Sequence, residues 1–350
     1  LKTWALLVLA ISLFATHVLP EHVTALTVFL LALLGDIAPA NVVFSGFEVG
    51  ALWLLFSGIV IGVAAQEAGL GTFIARGILS LWRMTYLRAV ILLVVIAVVL
   101  GLIIPATIPR IILLMPVALG MAEAMGFEEG GKGYTGLALA VGLGTFLPTF
   151  AVLTANLPAV VHVGAIESVY GIKISYAEFL IYQLPVIGVL RTVVLMVVLL
   201  VFFYQPGQPV AEVGREQMTP QQRRLAVVLL GAIAFWATDV FHGIHPAWIA
   251  MAAAVAILWP SARLISPTAF KEKVDFAPVL YVASLLSIGA ILIENGLDTE
   301  LGAFMLGFVS FHPESQLFNL YLLTGLSQLV CMISTTPAAP ILLVPIAGEL

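Results

Sequence analysis

Long apolar runs, separated by short polar connections, fill almost the whole chain. A helix needs about 20 apolar residues to cross a bilayer, so most of these runs predict transmembrane helices. The single predicted spans are 2–18, 22–36, 51–67, 134–162, 177–203, 223–241, 245–260 and 276–294. The pattern therefore predicts an all-α integral membrane protein.

Two further apolar runs, 87–125 and 317–349, are broken near their middle by proline, threonine and small residues. The first break covers Pro105–Pro109 and the second covers Ser334–Pro337. Proline interrupts a helix because it lacks an amide donor and its ring clashes with the preceding turn. Each broken run is therefore either a kinked straight crossing or a re-entrant hairpin.

The distribution of lysine and arginine favours hairpins. If both broken runs are hairpins, ten basic residues fall on one side of the membrane and two on the other. Such a bias marks the cytoplasmic side. If 87–125 were a straight crossing, the basic loops 204–224 and 260–275 would lie opposite the basic loop 76–88. We therefore predict two re-entrant hairpins.

Short matches in the same order relate the two halves of the chain. Glu67-Ala-Gly-Leu matches Glu294-Asn-Gly-Leu, and Pro116 matches Pro345, at an offset of roughly 225 residues that is typical of an internal repeat. Each half has five crossings and one hairpin, and an odd number of crossings inverts one half relative to the other. The fold class is therefore an inverted-topology repeat with two opposed re-entrant hairpins and broken transmembrane helices.

The predicted organisation is a first repeat over 1–208, a cytoplasmic linker over 209–222 and a second repeat over 223–350. The second repeat stops after its hairpin, so equal halves would place roughly 85 further residues after this segment. The first span would start on the outer side, which an additional upstream crossing would explain. The alternative interpretation of the first predicted span, 2–18, is a cleaved signal peptide. The second half of the chain contains a matching segment, however, which a signal peptide would lack.

Composition excludes several classes of protein. The chain is 62% hydrophobic and 9% charged, with a net charge of −5, whereas soluble domains carry about 25% charged residues. The single cysteine, Cys331, rules out an intramolecular disulfide and most cysteine-based metal sites. The six histidines show no metal-ligand spacing, and no phosphate loop or nucleic-acid motif is present. We therefore expect no metal site, no nucleic-acid partner and no enzyme, since convergent catalytic groups are missing.

The two breaks are candidate binding sites. Pro105 and Pro109 free carbonyl groups before the break that could coordinate a cation. The amide groups after the break could bind an anion, and Thr107 adds a hydroxyl group. The second break adds hydroxyl groups from Ser334, Thr335 and Thr336. Proline kinks with back-bonded hydroxyls are the alternative, but paired broken segments in two halves favour a transporter site.

A third candidate break lies inside the span 134–162, where the sequence reads Gly142-Leu-Gly144-Thr145-Phe-Leu-Pro148-Thr149. Two glycines, a proline and two threonines are typical of an unwound point. The alternative is a continuous helix with small residues at a packed interface.

Arg110 follows the first break, and a charged residue at this depth usually has a partner or faces a cavity. It could bind a carboxylate with its guanidinium fork, or its charge could replace a coupling cation. It could also snorkel to the cytoplasmic side, but from a hairpin tip that side is distant. Arg191 lies within the span 177–203. For this residue, structural pairing with a carbonyl group or an acid on another helix is at least as good an interpretation as a functional role.

These features resemble the divalent anion:sodium symporter family. The resemblance lies in the two broken runs, in Pro116-Val-Ala and Pro345-Ile-Ala, and in the basic loop that ends with Gln221-Gln-Arg-Arg-Leu225. It covers essentially the whole chain. It implies transport of dicarboxylates, citrate or sulfate, usually with Na⁺, by homodimers of eleven crossings and two opposed hairpins. It also implies an elevator motion of a transport domain against a scaffold domain.

The resemblance also places site residues. The family's Ser-Asn-Thr tip falls on Ala106, Thr107 and Ile108 in the first half, and near Ser334, Thr335 and Thr336 in the second. Its Gly-Thr break falls on Gly144, Thr145 and Thr149. This chain lacks both tip asparagines and has Arg110 instead. We therefore predict a divergent anion permease in which Arg110 substitutes for part of the ion or substrate site.

The sequence thus predicts a secondary active transporter of a small dicarboxylate, citrate or sulfate-like anion in the bacterial inner membrane. We expect a homodimer and no cofactor, with Na⁺ as a candidate coupling ion and coupling to H⁺ or to neither ion as the alternatives. The alternative is a cation/proton antiporter or metalloid-oxyanion exporter, which needs ionisable residues at mid-membrane depth. Glu67, Asp239 and Glu294 all lie near span ends instead. A receptor or scaffold is a further alternative, which ligand-dependent uptake would distinguish from a carrier.

Overall fold

The computed structural model describes residues 1–79, 84–104, 107–208, 217–297, 300, 315–333, 336–340 and 343–344. The chain folds into α-helices joined by short turns, with brief 3₁₀ and π segments. The helices are α1 (Lys2–Thr16), α2 (Glu21–Leu34), α3 (Ala40–Val43), α4 (Gly50–Glu67), α5 (Leu70–Leu79), α6 (Tyr86–Ile103), α7 (Thr107–Ala124), α8 (Lys132–Phe146), α9 (Leu157–Tyr170), α10 (Tyr176–Gln183), α11 (Arg191–Phe202), α12 (Pro220–Ala237), α13 (Asp239–His242), α14 (Pro246–Leu258), α15 (Pro267–Lys273), α16 (Ala277–Glu294) and α17 (Gln316–Ile333).

Several of these helices are membrane-length. Within the described residues, five segments are long and apolar enough to cross a bilayer, judged by length and composition: Gly50–Glu67, Thr107–Ala124, Lys132–Ala151, Tyr176–Phe202 and Ala277–Glu294. Shorter apolar helices accompany them. The prediction of an all-α membrane protein is therefore confirmed.

Two of the long helices end in the same way. α4 ends at Glu67 and is followed by Gly69 with φ of 62°, and α16 ends at Glu294 and is followed by Gly296 with φ of 68°. Glycine adopts this left-handed conformation without the steric penalty of a Cβ atom, so it terminates a helix readily. The two Glu-x-Gly-Leu sequences therefore form structural turns. Glu67 also forms an ion pair with Lys273.

By its internal contacts, the chain divides into two compact units. The first unit comprises Leu1–Phe56, Leu157–Ile174 and Asp275–Leu350. Its centre is α16, which packs against α2, α9 and the 3₁₀ turn Ser45–Phe47. The amide of Gly46 in that turn donates a hydrogen bond of 3.1 Å to Ser287 Oγ on α16. The turn and the helix are therefore in close contact at Gly46.

We expect Gly46→Ala to destabilise the first unit. A Cβ atom at position 46 would lie 2.1 Å from the carbonyl oxygen of Ala283, and helix backbone cannot move aside cheaply. Overpacking of this kind costs about 1–3 kcal/mol, which thermal unfolding of the purified protein would detect. Gly120→Ala is the matched control, because nothing lies within 4 Å of its Cβ position. Equal melting temperatures for the two variants would contradict this packing.

The second unit comprises Ser57–Asn156 and Ser175–Val274. Here α6, α7 and α8 pack against one another. The ring of Tyr86, at the start of α6, lies 6.0 Å from the ring of Phe127, just beyond the end of α7. The two compact units are defined by contacts in space, whereas the predicted repeats are defined by the order of helices along the chain. The division into units therefore does not test the repeats 1–208 and 223–350, which remain a prediction.

Candidate functional site

The long segment 134–162 is interrupted in the structure. Helix α8 ends at Phe146, two 3₁₀ turns follow at Pro148–Ala151 and Leu153–Ala155, and α9 begins at Leu157. The sequence places the break at 142–149, but residues 142–146 are still helical. Glycine alone does not break a helix, whereas proline removes a donor from the ladder. The unwound stretch therefore begins near Pro148.

Gly144 and Thr145 lie in the last turn of α8 and have packing roles. A Cβ atom on Gly144 would lie 3.3 Å from Val94 Cγ2 on α6, so the glycine allows close helix contact. The hydroxyl of Thr145 is buried and donates to the Val141 carbonyl of its own helix. Back-bonding of this type satisfies a threonine internally.

Thr149 lies in the first 3₁₀ turn and is fully buried. Its hydroxyl donates to the Thr145 carbonyl at 2.7 Å and accepts from Asn156 Nδ2 at 3.0 Å. The Oδ1 atom of Asn156 accepts from Thr107 Oγ1 at 2.9 Å. Asn156 therefore joins the two ends of the unwound stretch to the first turn of α7.

Arg110 completes this network. Its side chain is fully buried, and Nη2 donates to Ala155 O at 2.9 Å, to Thr107 Oγ1 at 3.1 Å and to Thr149 Oγ1 at 3.5 Å. Because Nη2 carries only two hydrogens, the three contacts share them, and the contact to Thr149 is the weakest. We call this set the Arg110 cluster: Thr107, Arg110, Thr149, Asn156 and the Ala155 carbonyl.

The rest of the guanidinium is unsatisfied. Among the described residues, Nε and Nη1 of Arg110 have no hydrogen-bond partner, and no carboxylate forms an ion pair with this arginine. Burying a charge without a counter-charge is costly, since the neighbouring dipoles replace only part of its hydration. The cluster is thus a positively charged centre with free donors.

A glycine makes room for the guanidinium. A Cβ atom on Gly101 of α6 would lie 2.5 Å from Arg110 Nη1 and 2.7 Å from Thr149 Cγ2. Any larger residue would displace one of these groups. Helix α6 therefore forms a wall of the Arg110 cluster at a position where only hydrogen fits.

The structure brings together Thr107, Arg110 and Thr149 from the predicted site. Ile108 lies in the same turn of α7, but its side chain is 70% exposed. Thr336 is an exposed turn residue of the first unit. Three predicted site residues lie outside the described residues: Ala106, Ser334 and Thr335.

Three participants were not among the predicted site residues: Gly101, Asn156 and the Ala155 carbonyl. Asn156 offered a signal, because it is an amide side chain in an apolar run two residues before Pro158. Gly101 and the carbonyl carry no such signal, since their roles arise from contacts between distant segments.

Comparisons with known proteins agree with this picture. A membrane protein of Cupriavidus necator is 24% identical over 271 residues, which cover 75% of this chain and 53% of the relative. The chain therefore spans about half the length of the curated relative it matches. A family model described as citrate transporter matches residues 7–350. With nearly its whole length matched, the chain belongs to the citrate transporter family of the ion transporter superfamily, whose members are multi-pass membrane transporters and not enzymes.

Proposed function

We propose that the protein containing this chain is a secondary active transporter of citrate or a related small anion, and that the Arg110 cluster is part of its anion site. One observation carries the proposal: a fully buried arginine has no carboxylate partner among the described residues. The arginine lies beside unwound backbone in an apolar protein. In a membrane protein such a residue marks a substrate or ion pathway.

The chemistry of the cluster suits a carboxylate. Nη2 is held by three oxygen acceptors, which fix the plane of the guanidinium. The N–H groups on Nε and Nη1 remain for the anion, and planar donors of this kind match the two oxygens of a carboxylate. Since Arg110 is fully buried here, the anion must reach it in a more open conformation. Alternating access to a central site provides such a conformation.

Re-entrant hairpins are part of the proposal. Helices α6 and α7 have 18 residues each, and placed end to end they would separate their outer ends by roughly 50 Å. Instead, the rings of Tyr86 and Phe127, near those outer ends, lie 6.0 Å apart. This contact supports a chain that returns to the side from which it entered.

An internal repeat is also supported by the order of helices. α4 and α16 each have 18 residues and end at Glu67 and Glu294. α6 and α17, which begin the two predicted hairpins, also have 18 residues each. The pairs follow the same order along the chain. We propose that these halves form the elevator-type carrier and homodimer implied by the resemblance to sodium-coupled anion symporters.

The proposed function is tested by uptake measurements on the full-length protein in proteoliposomes. We expect saturable uptake of radiolabelled citrate, competed by unlabelled citrate, and absent from protein-free vesicles. Imposed sodium and proton gradients, applied separately, identify the coupling ion. Proton flux without any anion, together with no citrate, dicarboxylate or sulfate uptake, would instead support the cation/proton antiporter alternative.

A further inference from the structure

We infer that Arg191 is a second anion contact of this transporter and that it favours anions with two or more carboxylates. The inference rests on the proposed function and extends it to a residue outside the Arg110 cluster. Four observations carry it: the depth of Arg191, the π segment before it, its lack of a partner, and the positions of the acidic residues.

Arg191 lies deep within the longest apolar segment, Tyr176–Phe202. At 1.5 Å per residue it is about 22 Å from the start of that segment and about 16 Å from its end. A bilayer core is about 30 Å thick, so this is mid-membrane depth. Helical side chains lean toward the N-terminus, so Arg191 points away from the nearer membrane surface. Snorkelling therefore does not explain this residue.

A π segment, Leu184–Leu190, directly precedes Arg191. Such segments are uncommon and frequently occur at functional sites. A Cβ atom on Gly188 would lie 3.2 Å from Ala151 Cβ, so the segment packs on the 3₁₀ turn that contains Thr149. Arg191 follows Gly188 by three residues and is the first residue after the π segment. The second arginine thus lies on the element that lines the unwound stretch beside the Arg110 cluster.

Arg191 has no partner among the described residues. Its side chain is exposed, and it forms no hydrogen bond or ion pair with any part of the chain that the structure describes. A bare guanidinium at this depth is costly in hydrocarbon, so it must meet an anion or water.

The acidic residues of the described helices do not supply that anion. Every acidic residue in the helices defined above lies within one turn of a helix end. Arg110 and Arg191 therefore place two positive charges in the membrane interior with no carboxylate of these helices at the same depth. An anion with two carboxylates compensates both charges, whereas a monocarboxylate leaves one uncompensated. This difference is the proposed basis of selectivity.

Arg191→Gln in the full-length protein tests the inference. We expect the KM for citrate uptake to rise at least tenfold, and the preference for citrate over acetate as a competitor to fall by a similar factor. Arg191→Lys keeps the charge, so its KM for citrate and its preference for citrate over acetate should lie closer to those of the unmodified protein. The control is Arg224→Gln, because Arg224 is exposed and, within the part of the chain that the structure describes, hydrogen-bonds only to the Pro220 and Ala262 carbonyls.

Calorimetric titration of citrate into the detergent-solubilised protein separates this inference from the proposed function. Weaker citrate binding by the Arg191→Gln variant than by the unmodified protein supports the role of Arg191, even where uptake fails. Unchanged affinity and competitor preference overturn it and leave the transport function standing. A lowered melting temperature with unchanged citrate affinity also overturns it, because Arg191 then pairs with an acid elsewhere in the protein.

Discussion

Arg110→Met is expected to reduce citrate uptake by about 30- to 3,000-fold. Methionine is unbranched and apolar and fits a buried site, although it is shorter than arginine, and it removes the charge and all five N–H donors. Removing one partner from a buried charged contact costs about 2–5 kcal/mol, and each 1.4 kcal/mol is a factor of about ten in affinity. Initial uptake rates over a range of citrate concentrations would show the loss.

The same substitution should leave the fold intact, because removal of an uncompensated buried charge offsets the loss of its hydrogen bonds to Thr107 Oγ1 and the Ala155 carbonyl. Arg110 is buried without an ion-pair partner among the described residues, and replacing buried charges by apolar groups is often neutral or stabilising. Thermal unfolding of the two proteins without citrate measures this. Arg224→Met controls for loss of an exposed arginine. Uptake by the Arg110→Met variant with an unchanged KM would remove Arg110 from the proposed site.

Gly101→Ala is expected to lower citrate uptake by about 10- to 100-fold, although it adds a single methyl group. That methyl group would lie 2.5 Å from Arg110 Nη1 and 2.7 Å from Thr149 Cγ2, so the guanidinium must shift. A displacement of about 1 Å in a binding group can cost about 100-fold in rate. The protein should still fold, because the ends of side chains move more easily than backbone.

Gly120→Ala is the matched control for this substitution, since its Cβ position is open. Because Gly101 acts through Arg110, the two effects should not add. In an Arg110→Met background, Gly101→Ala should therefore change uptake little further. A full additional loss in the double variant would show that Gly101 has a different role.

The sequence predicted the helical segments well because each is a long apolar run with a clear end. Glu67 and Glu294 are examples, since a glycine two residues later ends each helix. The break in 134–162 was predicted only approximately. Two glycines suggested an early start, but helix α8 continues through Gly144 and unwinds near Pro148. Local hydrogen bonds, rather than glycine content, decide where the helix ends.

The partners of Arg110 could not be predicted from the sequence. Its position after a break indicated a function, but its contacts reach Thr149 and Ala155, which are 39 and 45 residues away. Asn156 bonds to Thr107 across 49 residues. Such contacts depend on how helices pack, and periodicity carries no information about them. The two opposed re-entrant hairpins remain a prediction.

The uncompensated charge of Arg110 has an electrical consequence. In the proposed elevator-type cycle, the empty carrier would move with the positive charge of Arg110, whereas a carboxylate bound there would neutralise that charge. Moving one charge through 100 mV involves about 2.3 kcal/mol. A resting membrane potential, negative inside, would then draw the empty carrier toward the cytoplasm and leave the neutralised, loaded carrier less affected. The rate of net uptake would depend on voltage, while exchange of anions across the membrane would depend on it much less.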